Sequence, residues 1–192
     1  MSGGGSSPKE MKGAGIVGLI IIFIAFLFEL QSSGTADLNI PTKIPNTVGI
    51  YYRVTKVTDG DTLHIDMNGV NEKVRLIGIN TPETVDPRRT VECFGKESSV
   101  RMKELASDKV VRLEYDETQN LRDAYGRILA YVYLEDGEML NRKMIAEGYA
   151  YEYTYMKPYI YQEEFRQLQT LARTSERGLW SKDTCNGIKT QN

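Results

Sequence analysis

Four short stretches of the chain combine acidic, basic and turn-forming residues at close spacing. They are residues 59–62 (DGDT), Arg75 within an apolar strand, residues 80–83 (NTPE) and residues 123–127 (DAYGR). Each has an ordinary structural explanation, since Asp-Gly-Asp is a common turn and a lone arginine can lie on an edge strand. Their co-occurrence in one small domain favours a functional explanation. It predicts a site whose chemistry uses carboxylates, arginines and tyrosines, together with a hard metal ion where one is bound.

The scarcity of histidine and cysteine excludes several kinds of catalytic site. The chain has one His and two Cys among its 192 residues. A zinc cluster needs about four nitrogen or sulfur ligands, so these three side chains are too few. Schemes that need two histidines are excluded for the same reason. His64 alternates with the apolar residues of its predicted strand, which favours a structural or surface role.

The charge balance argues against a protein that coats polyanions. The formal net charge is −2 and the sequence pI is about 5.6. Proteins that cover nucleic acid are usually strongly basic. An enzyme with a few arginines gathered in one cleft is compatible with this balance.

The N-terminal region predicts export. Residues 14–28 are almost uninterrupted apolar side chains, which predicts a hydrophobic helix without a polar face. The run is shorter than the ~20 residues of a membrane span and suits the hydrophobic part of a signal peptide. An uncleaved anchor, with the membrane as a partner, and a signal peptide cleaved near Ala36 both remain open, and both place the rest of the chain outside the cytoplasm. The predicted organisation is a signal or membrane-anchor segment over 1–30, a flexible linker over 31–47, a folded domain over 48–185 and a tail over 186–192.

Hydrophobic periodicity predicts an α+β, mainly β domain. The strands are predicted over residues 51–57, 62–67, 73–79, 110–115 and 127–134. The helices are predicted over residues 96–107, 139–147 and 159–175. Five strands with a helix between the third and the fourth are typical of an OB-type Greek-key barrel. The predicted fold is therefore a five-stranded barrel of this type with three helices, preceded by the N-terminal hydrophobic helix.

The order and spacing of the polar motifs resemble the staphylococcal nuclease (thermonuclease) family. The resemblance covers residues 54–183, about two-thirds of the chain. Its motifs are DGDT at 59–62, VRLIGINTPET at 74–84, DAYGR at 123–127, EYTYMKP at 152–158 and GLW at 178–180. The resemblance implies a hydrolase with Ca²⁺ as cofactor and DNA and RNA as substrates. Such an endonuclease cleaves phosphodiester bonds and leaves 3′-phosphates.

The resemblance implies a calcium site built from oxygen ligands. Carried over by position, Asp61 and Asn80 supply side-chain ligands and Thr81 supplies its backbone carbonyl. The family prototype has Asp where this chain has Asn80, so the site loses one formal negative charge. Because an amide oxygen can still bind calcium, we expect weaker binding, in the millimolar range of extracellular modules, rather than an inactive site.

The same resemblance implies three catalytic residues. Glu83 would hold the attacking water, and Arg75 and Arg127 would bind the scissile phosphate. An uncatalysed phosphodiester is so inert that an enzyme must lower its barrier by on the order of 20 kcal/mol. Attack on phosphorus gathers negative charge on the equatorial oxygens. Fixed planar guanidinium groups therefore suit this task better than lysine.

Substrate contacts are implied for Tyr125, Tyr153, Tyr155 and Arg89. Aromatic faces beside a phosphate clamp can stack on bases. The family prototype has a lysine where this chain has Ala124. Arg89 and the arginine before it are the candidates to replace that charge.

The two cysteines allow two interpretations. Cys93 precedes the first predicted helix of the folded domain, and Cys185 lies near the C-terminus. In an exported protein an even pair predicts a disulfide, and the alternative is two unpaired thiols.

A second function class remains open beside the nuclease. It is a non-catalytic OB-type module that binds nucleic acid or a protein. Family members of that kind typically lose the arginine and carboxylate positions, whereas this chain keeps Asp61, Arg75, Glu83 and Arg127. The enzyme is therefore the favoured prediction. Nothing in the sequence indicates a large exposed apolar face, so we expect a monomer.

Overall fold

Alternating apolar residues fold the first part of the domain into three neighbouring antiparallel strands. The computed structural model describes Met1, residues 49–84 and residues 91–188. The strands of this part of the chain are β1 (Tyr51–Val57), β2 (Thr62–Met67), β3 (Val70–Leu76), β4 (Ile79–Asn80), β5 (Val110–Glu114), β6 (Ile128–Leu134) and β7 (Tyr151–Glu152). The helices are α1 (Gly95–Ala106), α2 (Leu140–Ala146) and α3 (Gln162–Thr174), followed by a 3₁₀ turn at Gly178–Trp180.

Five of these strands close into a barrel in the order β1-β2-β3-β6-β5. The pairs β1–β2, β2–β3, β5–β6 and β1–β5 are antiparallel. The pair β3–β6 is parallel, and the chain between these two strands passes through α1 and β5. This topology confirms the predicted α+β fold, an OB-type Greek-key barrel with three helices.

The barrel interior is filled by the side chains that alternate inward along the strands. Leu63, Ile65 and Val74 are completely buried there. Burying a large aliphatic side chain contributes about 1.5–3 kcal/mol to stability. Because side chains on a strand alternate between two faces, this inward set places His64 and Arg75 on the outer face.

The third strand differs from the sequence prediction. β3 runs over Val70–Leu76 instead of residues 73–79, and the chain bends before it enters the two-residue strand β4. The bend lies at Gly78, where φ is +77° and where a Cβ would lie 2.6 Å from the ring of Tyr159. Only glycine fits this position. β4 then pairs with β7 in a small second sheet that is too short to show a periodicity. The other predicted strands and helices of the domain agree with the structure to within three residues.

The predictions for the N-terminal region fall mostly outside the described residues. The predicted segment 1–30, apart from Met1, and the predicted linker 31–47 lie there, as do residues 189–192 of the tail. Among the residues that the structure describes, no helix has both the length and the hydropathy to cross a membrane.

A disulfide joins the entrance of α1 to the C-terminal segment. Cys93 is bonded to Cys185, and their Cα atoms lie 5.9 Å apart. Cys185 is buried among the residues that follow the 3₁₀ turn. The bond closes a loop with a sequence separation of 92 residues.

Removing this bond is expected to lower the free energy of unfolding by about 4 kcal/mol, because a long loop then regains its freedom in the unfolded chain. The measurement is urea denaturation of the wild type and of the Cys93→Ser/Cys185→Ser variant, each with and without reductant. Reductant should destabilise the wild type and leave the variant unchanged. Equal midpoints for all four samples would contradict a stabilising bond.

Candidate active site

A cavity of about 420 Å³ gathers the motifs that the sequence analysis singled out. Its walls come from the turn before β2, the bend between β3 and β4, the turn before β6 and the segment after β7. The predicted site residues that line it are Asp61, Arg75, Asn80, Thr81, Glu83, Tyr125, Arg127, Tyr153 and Tyr155. Arg89, the remaining predicted substrate contact, lies outside the described residues.

Asp61 is a buried carboxylate immediately before β2. Its Oδ2 accepts hydrogen bonds from the backbone N–H and the hydroxyl of Thr81, at 2.8 and 3.1 Å. The same oxygen lies 3.2 Å from Nη2 of Arg75. Gly60 permits this approach, since a Cβ there would lie 2.5 Å from Cγ2 of Thr81. The DGDT turn is thus joined directly to the start of the NTPE motif.

Arg75 is held against the cavity wall by the bend that follows its own strand. Nη1 donates to the backbone carbonyls of Leu76 and Ile79, both at 2.9 Å. Nη2 donates to Oδ1 of Asn80 at 3.2 Å. The side chain is only 12% exposed. The guanidinium is therefore fixed before any substrate binds, which is what electrostatic stabilisation of a transition state requires.

Arg127 is oriented by the turn that precedes β6. Its Nε donates to Oδ2 of Asp123 at 2.7 Å. Oδ1 of Asp123 accepts from the backbone N–H groups of Tyr125 and Arg127, at 2.9 and 3.0 Å. The guanidinium carbon lies 5.5 Å from the centroid of the Tyr125 ring. The two terminal nitrogens of Arg127 donate to no other residue in the described part of the chain, so they are available to an oxyanion.

Glu83 enters the cavity from the loop after β4. Its Oε1 accepts from the backbone N–H of Thr84 at 2.9 Å. Its own backbone N–H donates to Oε2 of Glu92 at 3.0 Å, and its carbonyl accepts from the Glu92 N–H at 2.9 Å. Glu92 precedes the disulfide-bonded Cys93. The disulfide therefore anchors the segment that pairs with Glu83.

Asp59 places a second carboxylate beside Asp61. Its Oδ1 accepts from the backbone N–H of Asp61 at 3.1 Å. Burial, and then the charge of Asp61, raise the pKa of Asp59 to about 7. Two neighbouring negative charges repel each other, which makes it unfavourable for both carboxylates to be ionised. A cation bound beside them would offset this repulsion.

The oxygen donors of this wall fit a hard cation. Asp59 and Asp61 offer carboxylate oxygens, Asn80 offers an amide oxygen, and Thr81 offers a backbone carbonyl, which are ligand types that calcium prefers. Within residues 49–84 and 91–188, no group of three or more His, Cys, Asp or Glu side chains is arranged to hold a metal ion. A cation at this wall would therefore depend on amide and carbonyl oxygens and on water as well as on carboxylates.

Two tyrosines project from the segment after β7. The ring centroids of Tyr153 and Tyr155 lie 6.3 Å apart, and the rings are tilted by 30°. Tyr155 is 64% exposed, and Tyr125 across the cavity is 85% exposed. The backbone N–H of Tyr153 donates to the carbonyl of Gly78 at 3.0 Å, which fixes the segment to the bend after β3. Exposed rings in fixed positions suit stacking against bases.

Asp116 fixes the C-terminal end of the segment between β7 and α3, which carries Tyr153 and Tyr155. It accepts hydrogen bonds from the hydroxyl of Tyr131 at 2.5 Å and from the backbone N–H groups of Ile160 and Thr118, both at 2.8 Å. Burial raises the pKa of Asp116, but these hydrogen bonds outweigh it and hold the pKa below its usual value. The charged carboxylate thus ties the chain after β5 to the chain before α3.

Sequence reasoning assigned no role to four carboxylates that build the site. Asp59 and Asp123 stand inside the quoted motifs, and their spacing from Asp61 and Arg127 was the available signal. Glu92 and Asp116 stand outside every motif. Apart from the hydroxyl of Thr118, two residues after Asp116, their partners are distant in the chain or are backbone groups, so the sequence does not connect either carboxylate to the site.

Comparison with known proteins gives consistent matches. The family model described as Staphylococcal nuclease homologue matches residues 73–182. The chain is 38% identical over 169 residues to the Thermonuclease of Staphylococcus hyicus, covering 86% of this chain and 93% of that protein. It is 38% identical over 165 residues to the Thermonuclease of Staphylococcus intermedius, covering 86% of this chain and 96% of that protein. It is 34% identical over 153 residues to Endonuclease YncB of Bacillus subtilis (strain 168), covering 79% of this chain and 69% of that protein.

Proposed function

Because the chain belongs to the staphylococcal nuclease homologue family, we propose that it is a calcium-dependent nuclease that cleaves both DNA and RNA and leaves 3′-phosphates. The family and the relatives named thermonuclease and endonuclease show that it is a phosphodiester-hydrolysing nuclease. This decides against the non-catalytic binding module. The observation that supports the proposed calcium-dependent mechanism is the convergence of Arg75, Arg127, Asp61 and Glu83 on one cavity.

The two arginines act on the phosphate. Arg75 is fixed by two backbone carbonyls and by Asn80, whereas Arg127 is fixed through Nε alone. Both guanidiniums carry a permanent charge. As water attacks phosphorus and the bond to the 5′ oxygen breaks, these donors stabilise the charge on the equatorial oxygens.

Glu83 is the base in this proposal. It lines the cavity, and its carboxylate is oriented by the backbone N–H of Thr84. It holds the attacking water and accepts its proton as the new bond to phosphorus forms. The 5′ oxygen leaves and takes a proton from solvent water, so the products carry a 3′-phosphate and a free 5′ hydroxyl.

The calcium site consists of oxygen donors from the DGDT and NTPE motifs. Asp61, the amide oxygen of Asn80 and the backbone carbonyl of Thr81 would hold the ion, and Asp59 supplies a second carboxylate at the same wall. When bound, calcium neutralises phosphate charge and orders water. The arginines bind the phosphate, and Glu83 accepts the proton of the attacking water.

Location outside the cytoplasm is part of the proposal. The apolar run over residues 14–28 supports export, and the Cys93–Cys185 bond suits an oxidising compartment.

The neutral amide of Asn80 should bind calcium more weakly than a carboxylate at the same position. Replacing it by Asp restores one formal negative charge, so the Asn80→Asp variant should bind calcium roughly tenfold more tightly than the wild type. Isothermal titration calorimetry measures both constants. Asn68→Asp adds the same charge at the exposed turn between β2 and β3 and should leave the affinity unchanged. No tightening in Asn80→Asp would remove Asn80 from the ligand set.

The test of the proposed function is digestion of plasmid DNA and of a structured RNA by the full chain, with calcium or with a chelator. Both substrates should be degraded with calcium, and neither with the chelator. Mass spectrometry of the products should find 3′-phosphate ends. Degradation that ignores the chelator would contradict the calcium requirement, and products with 3′ hydroxyls would contradict the direction of cleavage. The Glu83→Gln variant, purified identically, controls for contaminating nucleases.

A further inference from the structure

We propose that Lys56 and Lys73 form a second phosphate-binding surface, which carries the backbone of a polynucleotide strand from the cavity onto the outer face of the barrel. This inference rests on the proposed function, because it assigns the path of that substrate. If the surface exists, the protein should prefer long strands to very short ones, which the cavity alone does not explain.

Lys73 lies beside both phosphate-binding arginines. It is two residues before Arg75 on β3, so the two side chains share the outer face and their Cα atoms are about 6.6 Å apart. β3 and β6 pair in parallel, with Val74 opposite Ile128. Lys73 immediately precedes Val74 and Arg127 immediately precedes Ile128, so both residues stand at the same end of this pair of strands. A third cation therefore adjoins the pair that binds the scissile phosphate.

Lys56 extends this cationic surface across the sheet. It stands opposite His64 in the β1–β2 pair, and His64 stands opposite Lys73 in the β2–β3 pair. The three residues form one row on the outer face, and Lys56 and Lys73 are separated by two strand spacings, about 10 Å. Lys73 lies two residues before Arg75, and Lys56 lies three residues before Asp59, so the row runs alongside two residues that line the cavity.

Neither lysine is neutralised within the described part of the chain. Lys56 and Lys73 are exposed and form no ion pair with a described carboxylate, unlike Arg75 and Arg122, which pair with Asp61 and Glu72. Burial, and then the charges of Lys73 and Lys56, lower the pKa of His64. Both lysine charges therefore act on His64, which lies between them. Exposed charges on one row at the mouth of a phosphate site are placed to bind further phosphates.

The ligand chemistry of this row is a phosphodiester backbone. Lysines that neutralise phosphates release bound counterions, which makes the affinity depend on salt. The interaction requires a strand long enough to leave the cavity. A dinucleotide that fills only the cavity does not reach Lys56.

The experiment measures binding of a long labelled single-stranded oligonucleotide by fluorescence anisotropy in a chelator, between about 50 and 200 mM salt. The full-length Lys56→Gln/Lys73→Gln variant should bind roughly tenfold more weakly at the lowest salt. Its plot of log affinity against log salt should be shallower by about 1.4, since two phosphate contacts on a single strand are lost. Lys56→Arg/Lys73→Arg should restore both values.

A matched control removes the same charge elsewhere. Lys103→Gln/Lys182→Gln alters two exposed lysines, one on α1 and one near the C-terminus that pairs with Glu176, and should leave the salt slope unchanged. In calcium, the ratio of kcat/KM for the long strand to that for a dinucleotide should fall about tenfold in the Lys56/Lys73 variant and stay constant in the control.

The outcomes separate this inference from the proposed function. If the wild type cleaves in calcium and the Lys56/Lys73 variant keeps the wild-type slope and length preference, the second phosphate surface is wrong and the nuclease proposal stands. If the slope falls as expected and no variant or wild type cleaves, the surface stands and the nuclease proposal is wrong. Equal melting temperatures of the variants verify that folding is not the cause.

Discussion

Replacing either phosphate-binding arginine by lysine is expected to slow turnover at least about 100-fold, the cost of losing one oriented oxyanion donor. At position 75 a lysine ammonium cannot serve two backbone carbonyls, the Asn80 amide and Asp61 at once, as the guanidinium does. At position 127 a lysine has no Nε to hold Asp123 while it donates elsewhere. Both changes keep the charge and lose the fixed fork of donors.

The measurement is kcat and KM on plasmid DNA for Arg75→Lys and Arg127→Lys. Arg101→Lys is the control, because Arg101 on α1 forms a comparable ion pair with Glu147 at the end of α2, and neither residue lines the cavity. Its turnover should match that of the wild type. A near-normal rate in either cavity variant would show that the corresponding arginine does not contact the phosphate in the transition state.

Replacing Glu83 by glutamine is expected to lower kcat by about 1000-fold, within the usual contribution of a general base. Glutamine has nearly the same shape and can still accept the hydrogen bond from Thr84, but it cannot accept a proton from water. Because phosphate binding rests on the arginines, KM should change little. The loss should therefore appear in kcat.

Single-turnover kinetics with excess enzyme test this prediction without interference from product release. Glu97→Gln, an exposed carboxylate on α1, removes the same charge and should leave the rate unchanged. A Glu83→Gln variant that loses affinity but keeps kcat would assign Glu83 to substrate or metal binding and not to proton transfer.

Much of the barrel could be predicted from local pattern. The alternation of Leu63 and Ile65 predicted that His64 lies on the opposite face of its strand, and the structure places it on the outer face. The end of β3 did not follow, because residues 77–79 are as apolar as a strand while Gly78 bends the chain at positive φ. Periodicity reports burial and not the direction of the backbone.

The site was predictable where a motif carried it and unpredictable where tertiary contacts built it. Asp61 and Thr81 are 20 residues apart in the chain, yet the hydrogen bonds between them join the DGDT and NTPE motifs directly. Glu92 supports Glu83 through backbone groups, which any residue type possesses, so the sequence could not indicate that contact. The pKa of Asp59 depends on burial beside Asp61, which no spacing rule conveys.

The most direct test of the central claim is a crystal structure of the full chain with calcium and an uncleavable phosphorothioate oligonucleotide. The account predicts one phosphate in contact with the guanidiniums of both Arg75 and Arg127, with a calcium ion bound by Asp61 and Asn80 on the same side. A strand that crosses the protein without placing a phosphate between those two arginines would contradict it.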